Sequence, residues 1–560
     1  MVDIKPPKID MSKWIYNIDD KVFYQLSILY ASKHPSDDHN TFAIFVPEVY
    51  FTSTKNSDNS TYTCILNKDS KCGKFASTLA PFAFLVETPG YFDCKSLKEY
   101  RSFTEYTNKG IIYIYPGCRG RSHGAPLGIV DLKAVVRYIR YNKDILPGDT
   151  SKIITFGMSG GGAQSALMGS SGDSPLYEPY LKEIGAVKES DEVYGSMCWC
   201  PVTNLDQGNE SYEWNLGVSR KNLDAETKDI SDKMSETFAK YINEIHIKGE
   251  KGEILTLEKS EEGIYQSGSY YELIKSEIER SLNNFLNDVV FPYDASKANK
   301  MPFPPHMKPK HGEREDKKFL ESLKEAINDV GDGKEKIHKK GDMPYEMRDK
   351  IMRMNIAGDV ELKGIYNNIQ EYINALNQNK KWVLYDENTK AVKITSVSDF
   401  VKALKPATKI VGAFDDLSKK QGENTLFGLN GSNAHFDYNL YEIVKNTSHK
   451  GDFEKDFNNV KDSAGNDIKE RLLMYTPLNY LMEKYPQYKK SKVAKYWRIR
   501  SGLQQGDCSL CTEINLALAC KNYEGVKSVD FEMIWDQKHT KAERKGNSDT
   551  NFIQWVEEIA

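Results

Sequence analysis

The chain has no apolar run long enough to cross a membrane, and its opening residues, Met1-Val-Asp-Ile-Lys-Pro-Pro-Lys8, carry no signal-peptide core. Read as written, this is a cytoplasmic protein with no membrane partner; a secreted protein relieved of its leader would read the same way. An excess of either charge is also missing. Lysine and arginine total 76 against 80 acidic residues, a formal charge of -4, so nothing electrostatic favours nucleic acid or an anionic lipid surface. Cysteine is scarce, with nine residues in an odd and scattered set, which argues against a disulfide framework. Cys508-Ser-Leu-Cys511 has the spacing of half a zinc site, but no second half matches it, and Cys198-Trp-Cys200 is too tight. The histidines at 246, 306, 311, 338, 435 and 449 show no ligand spacing, so neither a metal nor another cofactor is expected. What remains is a globular chain of 560 residues, 39% hydrophobic, with room for two or three domains.

One stretch organises the rest. The apolar run Ile153-Ile-Thr-Phe156 leads into Gly157-Met-Ser159-Gly-Gly161 and then into the small-residue stretch Gly162-Ala-Gln-Ser-Ala-Leu-Met168. Strand, tight turn, helix is the context of a G-x-S-x-G nucleophile elbow, in which a strained serine stands above a sheet and the helix N-terminus faces any oxyanion formed there.

Upstream, residues 41–51 and 81–88 read as strands rich in aromatic and β-branched residues. A third strand, Gly110–Tyr115, runs into the loop Pro116-Gly-Cys-Arg-Gly-Arg-Ser-His-Gly124, and Ile129–Ile139 has helical periodicity. This βαβ rhythm predicts an α/β fold with a mostly parallel sheet. The 116–124 loop stands one strand before the elbow in the chain. That makes Gly117 or Cys118 a candidate second oxyanion donor beside the N–H of Gly160, while Arg119, Arg121 and His123 either bind substrate or hold the loop.

Beyond the buried-looking strand Ser196–Cys200 the character changes. The stretch is charged and helical, with helices predicted at Ile242–Ile247, Tyr270–Leu286 and Lys317–Val330 and a Pro/His/Lys-rich break at Met301–Lys310. It reads as one large inserted cap, which divides the chain into a first core part (1–203), a cap or lid (204–480) and a second core part (481–560). The sheet resumes at Lys495–Arg500 and closes at Ser528–Trp535, just ahead of His539. Ser159, Asp507 and His539 thus occur in the chain order of an α/β-hydrolase triad, each after a strand. The serine is the nucleophile, the histidine its base, and the aspartate sets the imidazole tautomer.

Several segments, among them Tyr115-Pro-Gly-Cys-Arg-Gly-Arg121, Gly157-Met-Ser-Gly-Gly-Gly162, Ser174-Pro-Leu-Tyr-Glu-Pro-Tyr-Leu181, Gly422-Glu-Asn-Thr-Leu-Phe-Gly428 and Asp530-Phe-Glu-Met-Ile-Trp-Asp-Gln-Lys-His539, resemble the bacterial tannase-like carboxylesterases. The resemblance implies an α/β-hydrolase with a helical cap and metal-independent hydrolysis of esters of small phenolic acids, gallate-like or hydroxycinnamate-like, through an acyl-enzyme. In bacterial tannases a cap lysine and a glutamate fourteen residues later contact the ring hydroxyls of gallate, and Lys409 and Glu423 have that spacing. Tannases also place an acidic residue near the triad acid to read a ring hydroxyl; here the segment is Gln505-Gly-Asp507, so Gln505 joins the substrate-binding candidates. Lys538 stands where the resemblance leads one to expect glycine. The alternatives are a general short-chain carboxylesterase, a serine peptidase of the same fold, and a catalytically silent α/β-hydrolase used as a binding module.

Overall fold

The computed structural model describes residues 6–33, 38–297 and 358–560. Its central sheet has nine strands: β1 (Ile15–Asn17), β2 (Val22–Leu29), β3 (Thr41–Pro47), β4 (Phe82–Val86), β5 (Ile112–Pro116), β6 (Ile153–Met158), β7 (Gly195–Trp199), β8 (Tyr496–Gly502) and β9 (Ser528–Ile534). In space they run β1-β2-β3-β5-β4-β6-β7-β8-β9. From β5 to β9 every neighbouring pair is parallel, whereas β1, β2 and β3 are added antiparallel at one side. Every residue of β3, β4, β5 and β7 is buried. Since successive side chains point to opposite faces, both faces of the sheet are covered there, which explains why these strands read as unbroken apolar runs.

The predicted strand 41–51 is in fact two. β3 ends at Pro47, a 3₁₀ turn covers Glu48–Tyr50, and Phe51–Lys55 pairs with Tyr62–Leu66 in a separate hairpin. Proline lacks the N–H a ladder needs, so the sheet strand stops there.

The helices that matter for the site are α1 (Leu127–Tyr141), α2 (Gly160–Ser170), α3 (Gly208–Leu216), α4 (Ala225–Ile245), α5 (Ser269–Asp288), α6 (Gly422–Phe427) and α7 (Leu510–Lys521). Between β7 and β8 the chain leaves the sheet for a cap whose described part is mostly helical, with two small ribbons, Tyr293–Asp294 with Ile365–Tyr366 and Val383–Asp386 with Ala391–Ile394. The predicted helix Ile242–Ile247 is the tail of α4, which Asp224 caps at its start and which ends where His246 turns left-handed at φ 52°. The prediction Tyr270–Leu286 matches α5. Met301–Lys310, Lys317–Val330, His306, His311 and His338 lie outside the described residues.

Register aligns the carboxyl ends of the parallel strands. Val86 lies opposite Gly157, Met158 opposite Trp199, Trp199 opposite Arg500, and Gly502 opposite Ile534. Whatever follows these strands therefore gathers along one edge, which is where ligands bind in sheets of this kind.

Candidate active site

β6 delivers its chain straight into Ser159, which sits at φ 60° and ψ -124°. A residue with a side chain rarely adopts such a backbone, at a cost of about 1–3 kcal/mol, so the surroundings must hold it. They do: the Ser159 N–H donates to Trp199 O (2.9 Å), and its carbonyl accepts from the N–H groups of Ala163 (2.9 Å) and Val202 (3.3 Å). Glycine is required on both sides by close approach. A Cβ on Gly157 would lie 2.5 Å from Gly161 O, and one on Gly160 2.5 Å from Thr88 O and 2.6 Å from Tyr91 N. Ser159 heads α2, whose first N–H groups carry the positive end of the helix dipole.

His539 follows β9 and is buried. Cys200 ties its loop to the elbow. Trp199 holds the Ser159 N–H, and the next residue, Cys200, donates its N–H to Arg500 O (2.8 Å) while its thiol meets Thr540 O (3.2 Å) and Lys538 O (4.0 Å), on either side of the histidine. Burial pushes that thiol up to about 11, so it serves as an uncharged spacer.

The turn after β8 carries both Gln505 and Asp507 to the histidine. The atom hydrogen-bonded to His539 Nδ1 is Gln505 Oε1, at 2.7 Å; Asp507 Oδ2 stands further off, at 3.7 Å. Gln505 was expected at the substrate, yet both ends of its amide are used internally, because Nε2 donates to Ser501 Oγ (2.7 Å) and to Glu513 Oε1. Glu513, on α7, is fully buried, and burial pushes its carboxyl up to about 7. The cap grips this turn. Lys405 Nζ donates to the carbonyls of Gln505 and Cys508 (2.9 Å for the second), and Gly506 O accepts from Tyr212 OH (2.8 Å) and Thr408 Oγ1 (2.9 Å).

The N–H groups of Gly117 and Cys118, expected as oxyanion donors, are engaged elsewhere. The Gly117 N–H donates to Thr41 O (2.8 Å) and the Cys118 N–H to Cys94 O (2.8 Å), so both are committed to backbone partners. The expectation followed chain order, whereas sheet order puts β4, not β5, beside the nucleophile strand. The loop that abuts the elbow is accordingly Thr88-Pro-Gly-Tyr91, and the N–H of Gly90 lies 3.2 Å from where a Gly160 Cβ would be. Arg119 holds its own loop through a two-pronged pair with Asp131 (2.9 and 2.8 Å), and Arg121 donates to Gly90 O (3.3 Å) and lies 4.0 Å over the Phe92 ring.

Lys409 is buried, with Nζ 3.8 Å over the Phe414 ring. Tyr212 OH, which donates to Gly506 O, accepts from the N–H groups of Thr408 (3.0 Å) and Lys409 (3.1 Å), and so links Lys409 to the turn of Gln505 and Asp507. Glu423 stands in the first turn of α6 near Tyr91, whose phenol is pushed well up by burial and then by the Glu423 charge. A cleft of about 450 Å³ is lined by Arg220, Thr408, Lys409 and Ile410, but Ser159 and His539 are not in its lining. Sequence reasoning missed Gly90, Lys405 and Glu513. Only Glu513 left a signal, as a lone carboxylate in the apolar run Leu510–Cys520.

The family model described as BD-FAE matches residues 96–246, which include the elbow and the 116–124 loop. No curated protein matches. Among solved structures, a tannase from Fusobacterium nucleatum is similar at 24% identity over 99% of each chain, with a TM-score of 0.65. A tannase from Lactobacillus plantarum follows at 22% identity, covering 96% of this chain and 95% of that one, TM-score 0.64. A tannin acyl hydrolase in complex with ethyl gallate is similar at 22% identity, over 96% and 94%, TM-score 0.64. At these identities the likeness is one of architecture, and with the elbow after β6 and the cap between β7 and β8 it makes the chain an α/β-hydrolase in fold.

Proposed function

We propose that the protein is a serine carboxylic ester hydrolase that cleaves esters of small phenolic acids through an acyl-enzyme. One observation carries the reading: a strained serine elbow and a buried histidine occupy the carboxyl edge of one sheet, joined through Trp199 and Cys200. Ser159 Oγ attacks the ester carbonyl as His539 Nε2 takes its proton. The oxyanion is met by the N–H of Gly160 and, from the adjoining loop, of Gly90. His539 returns the proton to the leaving alcohol, and a water, deprotonated by the same nitrogen, releases the acid and frees the serine. Asp507, 3.7 Å from Nδ1, adds negative charge beside the imidazolium.

The substrate class rests on Lys409 and Glu423, a cation and a carboxylate held on the cap side, together with the fold shared with a protein solved with ethyl gallate. A phenolic ring offers both donors and acceptors to such a pair. The test is initial rates on methyl gallate, methyl ferulate and a short-chain nitrophenyl ester, beside Ser159→Ala. The variant is expected to lose about 10⁵ or more in kcat. Full activity in it would sink the proposal, and cleavage of the nitrophenyl ester alone would reduce it to a general carboxylesterase.

A further inference from the structure

The group bonded to His539 Nδ1 is an amide, and the acid lies one step deeper. Resting on the esterase reading, we propose that Gln505 is the positioning residue for His539 and that buried Glu513 fixes and polarises it. The orienting chain is then His539–Gln505–Glu513.

The hydrogen bonds determine which way each group faces. Ser501 Oγ donates to Glu513 Oε1 (2.9 Å), so toward Gln505 both Ser501 Oγ and the Glu513 carboxylate act as acceptors. The amide end facing them is its NH₂. Its oxygen must then face the imidazole, and because that oxygen only accepts, Nδ1 carries the ring proton. Nε2 is left with its lone pair, the form a general base needs. An amide oxygen is a weaker partner for an imidazolium than a carboxylate. The Glu513 charge, drawn on through the NH₂ group, makes that oxygen more negative as His539 takes up its proton. Gln505 is 1% exposed and Glu513 0%, so no solvent competes for these bonds. Lys405, on the backbone of the same turn, supplies the compensating cation. The Asp507 side chain is one-third exposed, with Oδ2 3.7 Å from Nδ1, a full ångström further than the Gln505 oxygen.

The experiment compares Gln505→Ala, Asp507→Asn, the charge-conserving swap Gln505→Glu/Glu513→Gln, and Ser159→Ala on a short-chain nitrophenyl ester, with kcat, KM and melting temperature measured for each. Gln505→Ala is expected to lose about 10² or more in kcat at little change in KM, and more than Asp507→Asn loses. The swap places a carboxylate on Nδ1 and an amide behind it with the same number of bonds, and is expected to recover kcat to within about tenfold of the parent. A merely structural glutamine would not be rescued in this way. The inference is overturned if Gln505→Ala keeps the parent kcat, if Asp507→Asn loses more than Gln505→Ala does, or if the swap has the parent melting temperature and no activity. In all three cases inactive Ser159→Ala leaves the esterase reading standing, whereas a fully active Ser159→Ala overturns both.

Discussion

Gly157→Ala perturbs the site without touching a chemical group. The new Cβ would lie 2.5 Å from Gly161 O, 2.6 Å from Gly161 C and 2.7 Å from Val86 O, all backbone atoms. Ordinary carbon contacts begin near 3.5 Å, so relief requires a displacement of about 1 Å. Neither neighbour yields cheaply, because Gly161 sits in the first turn of α2 and Val86 is the last residue of β4. Two residues on, that movement reaches Ser159 and the Gly160 N–H. Overpacking of this kind costs about 1–3 kcal/mol, and a misplacement of about 1 Å at the reacting atoms costs about 10² in rate. The expected result is a lower urea midpoint together with a kcat on the nitrophenyl ester reduced about a hundredfold at similar KM. A variant with the parent kcat would show that the elbow tolerates a side chain there, and the close-packing argument for the glycines would fall.

Three further outcomes are expected. Glu513, raised to about 7 from an ordinary 4.5, lets the folded protein bind more protons than the unfolded chain between those values, so this residue's contribution falls as pH rises through that window. The 2.5-unit span is worth about 3 kcal/mol at 1.36 kcal/mol per unit, and denaturation of parent and Glu513→Gln at pH 5 and pH 8 should show the variant gaining relative stability at the higher pH; parallel behaviour would refute it. Lys405→Met strips a buried donor from two carbonyls and should lower the unfolding free energy by about 2–4 kcal/mol in urea titration, with a matching fall in kcat. Glu423→Ala should raise KM for methyl gallate about tenfold while that for a nitrophenyl ester stays put, and an equal effect on both would remove it from ring recognition.

The elbow was legible because its signal is local: strand, glycines and small-residue helix adjoin in sequence. The parallel strands were legible as apolar runs, and His539 as a histidine placed just past the last of them. What escaped is what only three dimensions supply. β4 precedes β5 in the chain yet lies between it and β6, so counting strands pointed to the loop of Gly117 when the loop of Gly90 abuts the serine. Nothing in Gln505-Gly-Asp507 reveals which of the two side chains comes to lie 2.7 Å and which 3.7 Å from His539 Nδ1. β2 went unread because Val22–Leu29 mixes apolar and polar residues and pairs through a bulge between Gln25 and Ile28.

The grip of Lys405, Thr408 and Tyr212 on residues 505–508 bears on how this chain can be rebuilt. A lid that merely shades a pocket can be trimmed or exchanged, leaving a smaller catalyst behind. Here the insertion provides the mould in which the histidine's supporting turn is cast. Shortening the cap to a minimal hydrolase would set that turn loose even if every residue of the sheet were kept. Grafting this cap onto a related core would have to bring residues 505–508 with it, as a single transplanted piece.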